Sequence, residues 1–176
     1  MKTLLILTAC LMLTAPAYAQ SVGEKTGVNS TLGIAPKTGD FVAEAATSDM
    51  FEIRSSKLAA SRSTGDVQTF ANQMVTDHTK TTSELTGLVQ GGAHIPVPTA
   101  MTSSQESMLT KLQGLQGDEF AKQYMDDQVS AHKDAVSLFQ RYGNGGDNDQ
   151  LKNWATQTLP TLQHHLEMAQ NIYDKW

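Results

Sequence analysis

The sequence predicts an all-α fold, a four-helix bundle with one additional short helix in its long central connection. Three observations carry the prediction. Apolar residues recur at three- and four-residue steps, as in Val67, Phe70, Met74, Leu85 and Leu88 and again in Leu151, Ala155, Leu162, Ala169 and Ile172, which is the period of one helix face. Helix start and stop signals repeat along the chain: acidic or hydroxyl residues in front, glycine and proline behind. The period-two alternation of a strand is nowhere sustained.

The elements follow in order. Lys2, an apolar run and the small residues Ala17 and Ala19 of "AYAQ" form a secretory signal peptide over residues 1–19, cleaved after Ala19. This implies export, with the periplasm as the expected compartment. The competing lipoprotein box ending at Cys10 leaves only nine residues before the cut and an apolar run after it. Residues 20–37, "QSVGEKTGVNSTLGIAPK", mix Gly, Ser, Thr and Pro without periodic apolar content and read as a flexible leader. The bundle domain then occupies 38–176. Its first helix starts near Asp40 and is stopped by "STGD"; the second runs from Asp66 to the Gly91-Gly92 pair, with Pro96 and Pro98 beyond. A short helix is expected around "SSQESMLTKLQGL", a third long helix from Asp118 to Tyr142, and a fourth from Gln150 onward, after "GNGGDND". Pro160 lacks a donor and crowds the preceding turn, so a kink or a restart is expected there. The short links make helices one and two, and three and four, antiparallel neighbours.

Composition narrows the function. From residue 20 on, 12 basic face 18 acidic side chains, a formal charge of −6 without a basic block, which argues against a nucleic-acid partner. The only cysteine is Cys10, so the mature chain has neither disulfides nor thiolate ligands. The longest apolar run belongs to the signal, leaving no transmembrane segment in the mature chain. Its 157 residues suit one domain, a monomer or small homo-oligomer, able to bury a core without staples.

What interrupts the apolar stripes is informative. Glu52 sits in a stripe of Ala45, Ser48, Ser56 and Ala59; His78 falls in the second stripe with Asp77 beside it; His132 lies in line with Met125, Gln128, Ala135 and Phe139; His165 stands between Leu162 and Ala169. Each long helix thus offers one inward candidate metal ligand. Counted from the first turn, Glu52 and His78 come out nearly level. Counted from the second, His132 and His165 differ by six residues, about 9 Å of helix, so a break at Pro160 or a stagger is needed to bring His165 in. Met74 lies four residues before His78 and His164 four before Met168, pairings of thioether and imidazole that suit copper, whereas carboxylate with imidazole suits Fe, Mn or Zn. Core filling is the ordinary role of such methionines. Asp77 is a candidate to orient the adjacent His78, His94 reads as a loop histidine, and His164 points about 100° away from His165.

The stretches "FVAEAATSDMFEIRSSKLA" (41–59), "DVQTFANQMVTDHTKTTSEL" (66–85), "FAKQYMDDQVSAHKDAVSLF" (120–139) and "LPTLQHHLEMA" (159–169) resemble the bacterial domain of unknown function 4142 family. The resemblance implies an exported, ferritin-like helical bundle and no established activity. It places Glu52, Asp77-His78, His132 and the 159–165 motif where the family's motif residues are expected. Di-iron chemistry asks for Glu-x-x-His motifs, and none occurs: Ser55, Gly87, Leu109, Lys122 and Gln170 stand third after each glutamate of the helices from Glu52 on. No Gly-x-Ser-x-Gly turn suggests hydrolysis either.

Two readings stand on these residues. In one, Glu52, His78, His132 and His165, with Asp77, Met74, His164 and Met168 as secondary candidates, bind a single transition-metal ion (Cu, Zn, Fe or Mn). In the other, the same polar centre is a metal-free hydrogen-bonded network in a structural or stress-related envelope protein that acts through surface contacts. A di-iron type oxidoreductase ranks behind both.

Overall fold

The computed structural model describes residues 20–93 and 95–176. The signal segment 1–19 with Cys10, and the loop residue His94, lie outside the described residues. The helices are α1 (Val22–Lys25), α2 (Val28–Leu32), α3 (Thr38–Arg62), α4 (Gly65–Leu88), α5 (Ser103–Gly114), α6 (Gly117–Gly145) and α7 (Asp149–Tyr173), with a π-helical turn at Val89–Ala93. The architecture is the expected all-α bundle. Four long helices build it, and α5 is the short helix of the central connection. None of the described helices is long and apolar enough to cross a membrane.

Local chemistry fixes where the helices begin and turn. Ser63 and Thr64 link α3 to α4, and Gly65 enters α4 at φ 62°, a left-handed conformation that costs glycine little. Thr102 caps α5 in a capping box with Gln105, and the Asn148 side chain accepts from Leu151 N at the start of α7. The two hairpins, α3 with α4 and α6 with α7, pack side by side through α3 against α6 and α4 against α7.

Two apolar clusters fill the interior. One joins Phe41, Leu85, Phe139, Tyr142, Trp154 and Leu162, with the Phe41 ring stacked on Tyr142 at 3.9 Å. The other joins Phe70, Met74, Leu112, Tyr124, Met125 and Ala169. Each long helix passes from one cluster to the other, and in between each contributes polar residues: Glu52 and Ser55 on α3, His78 on α4, Gln128 and His132 on α6, His165 on α7. Burial of side chains such as Phe41 and Phe70, at roughly 2–3 kcal/mol each, drives assembly from both ends and encloses this middle layer.

Two expectations are corrected. Where the sequence suggests a flexible leader over 20–37, two short helices lie against the bundle. Glu24 takes a two-pronged bond from Arg141 (2.9 and 3.2 Å), Arg141 also donates to Ile34 O (2.7 Å), Ser21 N donates to Asp40 (3.1 Å), and Gln20 donates to Glu44 (2.8 Å). These anchors are polar, and Val22, Val28, Leu32 and Ile34 remain exposed, so apolar periodicity could not announce the helices. Nor does Pro160 restart the last helix: α7 is continuous across it. Pro160 and Thr156, whose carbonyl loses its helical donor, are both on the exposed side, where solvent can satisfy that carbonyl. Because an interior proline is the least favourable helix residue, Pro160→Ala is expected to raise the unfolding free energy by about 1–3 kcal/mol, measured by urea denaturation.

Candidate metal centre

The three histidines meet because side chains lean toward the N-terminus of their own helix. Glu52 lies 11 residues before Ser63 and His78 lies 14 after Thr64; His132 lies 15 before Asp147, the centre of the second link, and His165 lies 18 after it. Both pairs are offset by three residues, about 4.5 Å of helix. In an antiparallel hairpin the earlier residue leans away from the turn and the later one back toward it, which closes that offset. No break at Pro160 is needed.

His78, His132 and His165 form a buried triangle with ring centroids 5.5, 5.6 and 5.4 Å apart. Each offers one nitrogen such that all three lie within 4.8 Å of one another. Every ring is held by its other nitrogen. His78 Nδ1 bonds Asp49 Oδ1 at 2.8 Å, His132 Nδ1 donates to the Gln128 carbonyl at 2.9 Å, and His165 Nε2 bonds Asp77 Oδ2 at 2.9 Å. Asp49 is fixed in turn by the hydroxyls of Thr81 (2.8 Å) and Thr82 (3.0 Å). The remaining atoms, His78 Nε2, His132 Nε2 and His165 Nδ1, are buried with no hydrogen-bond partner in the protein, as are both Glu52 carboxylate oxygens. An unpaired buried polar atom costs about 1–3 kcal/mol, and with Gln128 Oε1 six such atoms lie in this layer, a cost that a cation would offset in part.

The electrostatics differ among the three rings. Burial, reinforced by the other two histidines, lowers His132 to about 3; burial also lowers His165 to about 4, against the opposing bond from Asp77, so both rings are neutral and have lone pairs at neutral pH. Burial acts on His78 in the same sense, but its bond to Asp49 and the charge of Glu52 outweigh it and raise its pKa. Burial raises Glu52 to about 7, opposed by His78. Donor chemistry and charge both fit a transition metal held by imidazole.

His78, His132 and His165 come together. Glu52 borders the triangle, 4.0 Å from His132 Nδ1. Asp77 reaches across to His165 on α7 and does not orient its neighbour His78, because adjacent helical positions diverge by about 100°. Asp49 is the carboxylate on His78, and sequence reasoning missed it; its only signal is its place three residues before Glu52 on the same helix. Met74 is packed in the apolar cluster around Phe70, Met168 is half-buried against that cluster, and His164 is exposed.

Fold and site together define a helical bundle with a buried three-histidine cluster across its middle. The chain belongs to the family described as domain of unknown function DUF4142, whose model matches residues 23–172. No curated protein matches the chain. Among solved structures, one titled "CopM in the Cu(II)-bound form" shares the fold with a TM-score of 0.68 and 14% identity, covering 81% of this chain and 99% of that one.

The raised Glu52 pKa gives a signed test on the metal-free chain. Its contribution to stability is complete below the ordinary carboxylate value of 4.5 and is lost as pH rises through about 7. Glu52→Gln is therefore expected to stabilise the chelator-treated protein more at pH 8 than at pH 5, by about 2 kcal/mol, in paired denaturant titrations.

Proposed function

We propose that this chain is an exported metal-binding protein, periplasmic in the expected signal-directed route, whose middle layer holds one transition-metal ion with copper(II) preferred. The observation that carries the reading is three buried imidazoles that offer nitrogens within 4.8 Å of one another, each ring with one nitrogen tied to a carboxylate or carbonyl and the other left unpaired. Ligating histidines are held in this way in metal proteins, since the second bond sets the tautomer and raises the ring's basicity. His78 Nε2, His132 Nε2 and His165 Nδ1 would hold the ion, and Glu52 would balance its charge. The preference for copper rests on the order of divalent affinities at nitrogen sites and on the shared fold of CopM, whose structure is titled as the Cu(II)-bound form. Zinc is the nearest competitor, since three imidazoles also suit it.

A metal-free structural role has one observation in its favour. The Asp49–His78 and Asp77–His165 bonds join α3 to α4 and α4 to α7, and so help to hold helix register without an ion.

Elemental analysis separates the two. Untagged protein exposed in turn to Cu, Zn, Fe and Mn and then desalted is expected to retain about one Cu per chain, and His132→Ala to retain almost none; equal retention by the two would favour the metal-free role. Met74→Leu and Met168→Leu are expected to keep the wild-type copper content. Asp49→Asn and Asp77→Asn are expected to weaken Cu(II) about 10–100-fold in competition titrations, because they remove the partner that orients each ring.

A further inference from the structure

Between α3 and α6 runs a cavity of about 360 Å³ whose lining includes His78 together with Asp49, the carboxylate on its Nδ1. Its walls are small where the helices face each other, Ala45 and Ser48 on α3 and Ser130, Ala131 and Ala135 on α6. Phe51, Met108, Leu138 and Phe139 also line it. At its outer end stand the exposed Lys25, Thr102 and Ser104; at its inner end stand buried His78 and Leu162. Along the way it meets Glu24, Glu44, Asp49 and Asp134, with Lys25 as the one cationic side chain in its lining among the described residues. At about 30 Å³ per water, a cation with six waters fits inside. His78 is 3% exposed and is the one ring of the histidine layer in the lining; Glu24 is paired with Arg141 and Asp49 with His78, so Glu44 and Asp134 are the remaining acidic side chains set against Lys25.

We infer that this cavity is the path by which a hydrated divalent cation enters and leaves the histidine layer, with α1 narrowing its mouth. The inference rests on the metal-site reading above. Acidic lining concentrates cations in a low-dielectric passage and raises their rate of arrival, an effect that salt removes. Asp49 stands at the inner end and also holds His78, so the passage ends on a ring already aimed. At the mouth, α1 is held by Glu24 on Arg141 and, just before the helix, by Gln20 on Glu44, so the anchoring of the 20–34 segment sets how readily the mouth opens.

The test is stopped-flow loading of the full exported chain with glycine-buffered Cu(II), followed by visible absorption, with release followed by chelator challenge. Ser48→Phe, which fills the passage, is expected to slow loading and release alike by about tenfold or more and to leave the equilibrium affinity near wild type, as for any change in a path that spares its end point. Asp134→Asn, at an exposed position where folding is not at risk, is expected to slow loading severalfold at low salt and to match wild type at about 0.5 M salt. Glu24→Gln, which loosens α1, is expected to speed both loading and release. Wild-type rates in Ser48→Phe and Asp134→Asn, with copper bound normally, would overturn the path and leave the metal site standing. Failure of the wild-type chain to take up copper would overturn both.

Discussion

The structure depends on one arrangement: three imidazoles from three different helices meet in the interior, each tied through one nitrogen and with the other buried and unpaired. Asp49, Asp77 and the Gln128 carbonyl hold the rings. Two of those ties cross between helices, and the third, from His132 to its own helix, keeps that ring from turning toward a different partner. Without Asp49 and Asp77 the rings would be free to rotate and pair among themselves. With them, three ring nitrogens are left unanswered in an interior where unanswered polar atoms are costly.

That cost explains the layering. A four-helix bundle of this length is most stable with an unbroken apolar core, yet here Phe41, Tyr142 and Trp154 at one end and Phe70, Tyr124 and Met125 at the other are separated by a band of Glu, His, Gln and Ser. The two apolar clusters give the band its surroundings: they exclude water, press His132 and His165 into their neutral forms, and raise Glu52 toward neutrality. A layer of this kind also discriminates between registers, since a slip of one helical turn would set His78 or His165 against an apolar neighbour. Stability is spent at the middle and recovered at the ends, the usual balance at a functional site.

Much of this was legible in the sequence, and the limits have physical causes. The four long helices and the short fifth were readable because each carries a sustained apolar stripe and clear terminal signals. The inward positions of Glu52, His78, His132 and His165 followed from the same stripes, as breaks in them. Their level did not: α6 runs on to Gly145, which centres the second link at Asp147 and cuts the offset of His132 and His165 from six residues to three, and the lean of the side chains, which a count of Cα positions omits, closes the rest across an unbroken α7. Asp49 was hidden because one sequence shows which face a residue occupies and not which partner crosses to it; Asp77 was seen but assigned to the neighbouring ring for the same reason. The helices of 20–37 were hidden because their anchors are polar, bonds to Asp40 and Glu44 and, more than 100 positions away, to Arg141, none of which an apolar period can show.

The account stands or falls on whether the three free nitrogens are what a metal meets. X-ray absorption spectroscopy of the copper-loaded chain addresses this directly, since imidazole rings give an outer-shell scattering pattern that counts them. The account predicts about three imidazole nitrogens near 2.0 Å, completed by oxygen and without a sulfur neighbour. A sulfur scatterer, or copper surrounded by oxygen with one imidazole or none, would contradict it.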